Sequence, residues 1–230
     1  MDDSWYEFRK KSLSPFPVIN YLNKIPKFQP VAEEMIQHQE LLEGYGIDWH
    51  SKPKCGLSGC GFVSSQGNII KITTDKTEYH LFQMVEKLQP LLGFVGIEHI
   101  QPLGRVYLII KEEIVPLSDL IREEMKTSSS HMWDELAVGF VDFMHVYYQE
   151  INDYEMGRKS LYSALNTIQR FWRKHGPAEA KYIFESLKKL AYNNYRCQDL
   201  DPDNLGLTKE GRLVVFDAQM YPIRHPIKGQ

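Results

Sequence analysis

The stretch Cys197–Asp217, CQDLDPDNLGLTKEGRLVVFD, holds the residues best suited to chemistry. It sets a carboxylate, Asp199, five positions before a carboxamide, Asn204, and it delivers a second carboxylate, Asp217, behind two short apolar runs. Those runs, Leu205–Leu207 and Leu213–Phe216, flank the turn Lys209-Glu210-Gly211. Two strands and a tight turn would bring the three polar side chains to one edge. Oxygen-only donors of this kind suit a hard cation such as Mg²⁺. Taken alone, the stretch also reads as a hairpin with a polar rim, so the elements around it decide.

A second group of interest lies upstream. GLSGCGFVSSQGNIIKIT has glycines at 56, 59, 61 and 67, β-prone runs at Phe62-Val63 and Ile69–Thr73, and a hairpin turn at Gln66-Gly67-Asn68. The pattern predicts strand, glycine-rich turn, strand, tight turn, strand, with Lys71 projecting from the last. A helix follows, capped by Thr73 or Thr74 and ended by Pro90, with an apolar stripe of Leu81, Phe82, Val85 and Leu88. Glu78 falls on the inward face of that helix and Glu86 beside the stripe. Two more strands, near Ile97–Leu103 and Val106–Ile110, turn at Gly104-Arg105.

Before these strands, Val18–Lys24 and Val31–Glu43 read as helices suited to packing. After them, Pro116 breaks regularity, Ser118 can cap a short helix, Thr127–Ser130 reads as a polar loop, and helices run over Trp133–Gln149, Leu161–Lys174 and Pro177–Tyr192. The expected organisation is a helical extension (1–50), a β-rich lobe with one helix (51–115) and a helical lobe (116–230) that contains the polar hairpin.

Composition limits the function classes. The chain has 230 residues, 43% of them hydrophobic and 25% charged, as in ordinary globular proteins. A net charge of −3 weighs against a nucleic-acid binder, and no apolar run suggests a membrane span. The N-terminal MDDSWYEFRKK lacks the apolar core of a secretory signal. Cys55, Cys60 and Cys197 are too few and too irregular for a disulfide framework. Cys55 and Cys60 could supply half of a zinc site, but no second ligand pair follows. A reducing, cytoplasmic setting is the expectation.

In order and spacing these parts resemble the protein kinase-like fold. The resemblance covers roughly residues 54–220 and implies an α+β, two-lobed architecture with a β-rich N-lobe and a reduced helical C-lobe. GLSGCGFV resembles the glycine-rich loop, with Gly56, Gly59, Gly61 and Val63 in register and Ser58 at a position usually held by glycine. Lys71 matches the strand lysine that holds nucleotide phosphates, and Glu78 is the first choice for its helix partner, with Glu86 second. Asp199 matches the catalytic-loop aspartate, Asn204 the metal-binding asparagine and Asp217 the metal-binding aspartate. Lys111–Ile114 resembles the adenine-facing hinge, which brings in Glu113 and Ile114. ATP and Mg²⁺ are the implied cofactors.

The departures are equally specific. Cys197 stands where histidine is usual, Gln198 replaces the arginine that pairs with a phosphorylated activation loop, and Asp201 replaces a lysine that helps neutralise the transferred phosphate. Asp217-Ala218-Gln219 lacks the phenylalanine of the usual motif. Thirteen residues after Asp217 leave no room for an activation segment, so the fold is expected to lack what normally follows that aspartate. Truncated kinases of this outline are similar to those of bacteriophages and bacterial effectors. Three functions therefore compete: a compact, constitutive serine/threonine protein kinase acting on a host or partner protein, a small-molecule kinase of the aminoglycoside type, and a catalytically impaired pseudokinase that binds a partner.

Overall fold

Along Gly59–Val63 and Ile69–Thr73 apolar residues alternate with glycine, lysine or threonine, and that alternation sorts them onto two faces of one sheet. The computed structural model describes residues 16–88, 91–127 and 132–224. The first fifteen residues of the expected extension, the predicted helix stop at Pro90 and positions 128–130 of the predicted polar loop lie outside the described residues. The chain forms two units. The first takes the described residues up to Tyr79 together with Ile97–Glu112, and the second takes His80–Gly96 with the described residues from Glu113 onward.

The first unit is built on an antiparallel sheet of β1 (Lys54–Cys55), β2 (Gly59–Val63), β3 (Ile69–Thr73), β4 (Ile97–Leu103) and β5 (Val106–Lys111), in the order β1-β2-β3-β5-β4. Cys60, Phe62, Ile70, Ile72, Leu108 and Ile110 share one core with Val18, Ile19 and Leu22 of helix α1 (Pro17–Asn23), Val31 and Met35 of α2 (Gln29–Gln37), and Leu42 of α3 (Gln39–Gly44). The residues before the glycine turn are thus the packing layer of the sheet. One helix was predicted over Val31–Glu43; the chain forms two because His38 leaves helical geometry at φ −113°, ψ 30°. Glu34 of α2 reaches the β4–β5 turn, where its carboxylate accepts from the Arg105 backbone N–H at 3.0 Å.

Helix α4 (Lys76–Lys87) starts in the first unit and continues into the second. Its cap is Asp75 rather than Thr73 or Thr74: Asp75 Oδ1 accepts from the N–H groups of Thr77 and Glu78, at 2.7 and 3.3 Å. Thr73 instead uses its hydroxyl to accept from the Asp75 N–H at 3.0 Å.

In the second unit, α5 (Leu117–Thr127), α6 (Met132–Glu155), α7 (Leu161–His175) and α8 (Lys181–Tyr192) follow a short strand β6 (Ile114–Pro116). Phe143 of α6 meets Trp172 of α7 edge-on at 4.9 Å, and Trp172 stacks on Phe184 of α8. The chain then forms β7 (Tyr195–Gln198), β8 (Leu205–Thr208), β9 (Leu213–Val215) and β10 (Gln219–Pro222). The hairpin β8–β9 is the predicted one, and its turn closes at Gly211 with φ +76°. β6, β7 and β10 were not predicted; β6 pairs with β8, and β7 pairs with β10. The result is mixed α+β, with a β-sheet N-terminal region and a helical C-terminal region. No helix among the described residues is long and apolar enough to cross a membrane.

Candidate active site

Strand parity gathers the predicted nucleotide-site residues of the first unit. With Ile70 and Ile72 committed to the core, Lys71 points to the opposite face, and the registers Gly61↔Lys71 and Lys71↔Ile109 put Gly61 beside it. The same parity gives that face Gly59 and Val63 of β2 and Lys111 of β5. Gly59 is there for space: a Cβ would lie 2.6 Å from the Ile72 carbonyl oxygen and 2.9 Å from Thr73 Cα. No comparable steric demand exists at Gly61 or Gly56.

Helix α4 brings Glu78 onto this face. Its Oε1 lies 2.7 Å from Lys71 Nζ, so between Glu78 and Glu86 the pairing is with Glu78. The glutamate is 2% exposed and Lys71 15%. Tyr79, the next residue, stacks on Tyr107 of β5 at 4.3 Å and fixes the start of the helix against the sheet. A second lysine reaches the same oxygen: Lys111 Nζ stands 3.2 Å from Glu78 Oε1 and is itself 2% exposed. Sequence reasoning used Lys111 only as hinge backbone. The sequence carries no signal for its side chain, because a lysine closing the apolar run VYLII ordinarily returns to solvent.

The glycine-rich turn is tied down at several points. Cys55 and Cys60 face each other across β1–β2 and form a disulfide. The zinc half-site considered for these cysteines is therefore used up in a cross-strand bond. The Gly56 N–H donates to the Gly59 carbonyl at 2.9 Å, and the Ser58 carbonyl accepts from the Thr74 N–H at 2.8 Å and the Thr74 hydroxyl at 2.9 Å. Lys27 donates to the Gly56 carbonyl at 3.0 Å. The hinge-like residues lie where the chain passes between units. Lys111 ends β5, Glu113 pairs with Lys209 at 3.0 Å, and Ile114 pairs with Thr208 in β6–β8.

In the second unit two pairings converge on the polar hairpin. In β7–β10, Gln198 faces Gln219, which sets Asp199 and Asp217 just beyond the same end of that ladder. In β8–β9, Leu205 faces Val215, and the Phe216 N–H donates to the Asn204 carbonyl at 2.9 Å, so Asn204 and Asp217 flank the same end of that ladder. Asp199 is exposed and adopts φ +62°, a left-handed conformation that aspartate tolerates better than most side chains. Asn204 Nδ2 donates to the Asp199 carbonyl at 2.7 Å and holds that conformation. Asn204 and Asp217 thus bring a carboxamide and a carboxylate, both oxygen-bearing groups of the type Mg²⁺ accepts, to the same end of the β8–β9 ladder.

The loop is also supported from below. The Leu200 N–H donates to the Tyr148 hydroxyl of α6 at 3.1 Å. Burial, aided by the nearby Cys197, Asp201 and Asp199, pushes the Tyr148 phenol up to about 12, so it stays a neutral support. Cys197, in the place of the usual histidine, is fully buried, and desolvation pushes its thiol up. Its role is packing. Ala218, in the place of the usual phenylalanine, is likewise buried. Gln198 spends its backbone in the β7–β10 ladder, while Asp201 is exposed.

No family model matches the chain, and no curated protein matches its sequence. Solved structures give distant likenesses. The ADP-bound aminoglycoside phosphotransferase APH(2'')-Ib is 12% identical over 80% of this chain and 71% of its own, with a TM-score of 0.35. The streptomycin–ATP ternary complex of APH(2'')-IIa is 13% identical over 81% and 72%, with a TM-score of 0.37. An aminoglycoside phosphotransferase from Alicyclobacillus acidocaldarius is 13% identical over 80% and 67%, with a TM-score of 0.32.

Proposed function

We propose that the chain is an ATP- and Mg²⁺-dependent phosphotransferase in which Asp199 takes the proton of the acceptor hydroxyl. The observation that carries this reading is the Lys71–Glu78 pair at 2.7 Å. A strand lysine with no task is solvated; this one is drawn out of water against a buried carboxylate. That arrangement holds an ammonium at a defined point beside a glycine-bearing strand, which is what recognition of nucleotide phosphates requires. Asn204 and Asp217 would hold the metal through their oxygens. Bound Mg·ATP would supply the phosphoryl group and the charge that neutralises it. Asp199, exposed on a loop fixed by Asn204 and Tyr148, would orient the hydroxyl and accept its proton.

The first reading of the acceptor is a protein serine or threonine, with the chain acting as a compact, constitutive kinase. A second reading, a small cationic acceptor of the aminoglycoside type, is favoured by one feature of the loop: Asp199, Asp201 and Asp203 are all exposed. Three carboxylates in five residues attract an ammonium-bearing acceptor more readily than they assist a peptide hydroxyl.

The test is incubation with labelled ATP and Mg²⁺, with cell lysate and separately with an aminoglycoside panel, beside Lys71→Ala and Asp217→Ala variants. Label on protein that is lost in both variants supports the first acceptor, and label on the small molecules supports the second. Nucleotide binding without transfer leaves a pseudokinase, and no binding at all sinks the phosphotransferase reading.

A further inference from the structure

Lys111 is an expensive residue to bury. Its ammonium is withdrawn from water to 2% exposure at the end of a strand whose other inward positions are apolar, and a buried cation needs a paired acceptor. The register explains the partner. Ile69 faces Lys111 and Lys71 faces Ile109 in the antiparallel β3–β5 pair, so the two lysines are diagonal neighbours on one face. Both ammoniums converge on the same oxygen, Glu78 Oε1, at 2.7 and 3.2 Å. The helix start that carries Glu78 is held in turn by the Asp75 cap on its backbone N–H and by the Tyr79–Tyr107 stack.

We infer that Lys111 is a positioning residue of the nucleotide site: it shares the Glu78 carboxylate with Lys71, so the three side chains carry one net positive charge instead of none. The inference rests on the phosphotransferase reading and deepens it. A simple lysine–glutamate pair places a cation but cancels its charge at a distance. A second ammonium on the same carboxylate restores that charge where water is excluded and screening is weak. It also anchors Glu78 from the strand, so the carboxylate stays in place even when Lys71 turns toward an anion.

The test compares the wild-type protein with Lys111→Met, which keeps the length of the side chain and removes the charge. Binding of Mg·ATP and of adenosine is measured by titration calorimetry. Loss of one unit charge near the phosphates weakens Mg·ATP binding about tenfold, while uncharged adenosine binds as before. Equal weakening of both ligands would mean that Lys111 only packs, and unchanged Mg·ATP binding would overturn the inference directly. If the wild-type protein binds no Mg·ATP, the phosphotransferase reading fails on its own account. Charge sharing is then read from ¹⁵N-lysine NMR: removing Lys111 must make the Lys71 amine harder to deprotonate, and a Lys71 signal that does not move overturns it.

Discussion

Replacing Asn204 by aspartate changes one group at the point where the catalytic-type loop is tied to itself. The Asn204 Nδ2–Asp199 carbonyl bond of 2.7 Å is lost, and a carboxylate oxygen is set against a carbonyl oxygen in its place. Loss of the bond is worth about 1 kcal/mol at this partly exposed position, and the facing oxygens add on the order of 1 kcal/mol more. Asp199, held at φ +62° by that bond, loses its restraint. For a chain of this length, about 2 kcal/mol corresponds to a fall in Tm of roughly 4–8 °C. The pH dependence has a definite sign. A carboxyl facing a carbonyl has its folded-state pKa raised above the unfolded value of about 3.9. Its penalty is therefore absent below the unfolded value and grows as pH rises through the folded one. Thermal unfolding of Asn204→Asp and wild type, compared at neutral pH and near pH 4, checks this. The deficit must shrink on acidification, because the protonated carboxyl can donate to the Asp199 carbonyl again. A Tm within a degree of wild type at neutral pH, or a deficit independent of pH, refutes the assignment of that bond as the restraint on Asp199.

Three further outcomes are expected. Gly93→Ala destabilises the second unit by about 3 kcal/mol, read by denaturant unfolding, because the new Cβ would sit 2.3 Å from Ile183 Cα and the Tyr182 carbonyl oxygen, both backbone atoms that cannot yield. The same change also disturbs the Val215 N–H bond to the Gly93 carbonyl, which helps place β9 ahead of Asp217. At high pH, the raised Tyr148 value makes the folded state hold its proton longer than the unfolded state, so this contribution to stability is intact below about 10 and is lost as pH climbs toward about 12; Tyr148→Phe removes that part of the alkaline dependence, measured as the slope of Tm against pH. Unfolded without reductant, the chain exposes one reactive thiol, Cys197, and after reduction three; three thiols without reductant would refute the Cys55–Cys60 bond.

What the sequence displays and what it hides follow from the range of the forces involved. The five strands of the first unit, the turns at Gly67, Gly104 and Gly211, and the β8–β9 hairpin are local matters of alternation and turn chemistry, so they are legible. The strands YRCQ and QMYP are not, since neither has an apolar rhythm and each exists only because the other pairs with it. The predicted cap at Thr73 or Thr74 gives way to Asp75 because Thr73 is still in β3 and the Thr74 N–H and hydroxyl are spent on the Ser58 carbonyl. The choice of Glu78 over Glu86 is legible, because the apolar stripe of the helix puts Glu78 on its inward face, where it pairs with Lys71 at 2.7 Å. Lys111 stayed hidden for a different reason: at the end of an apolar run a lysine ordinarily marks the return to solvent, and only its register beside Lys71 gives it a buried partner.

Three features of the candidate site share one physical consequence. The glycine-rich turn is closed by a disulfide and by bonds to the carbonyls of Gly56, Ser58 and Gly59. Glu78 is fixed by a helix cap, an aromatic stack and a second lysine rather than by Lys71 alone. Asp199 is fixed by Asn204 from within its loop and by Tyr148 through Leu200. In each case the ordering cost is met when the chain folds, within a single unit, instead of when a ligand binds. Parts fixed this way contribute affinity through preorganisation. The absence of an arginine at Gln198, which sequence alone presents as a lost regulatory contact, then becomes consistent with the rest: nothing in these fixed parts requires that contact to bring them into place.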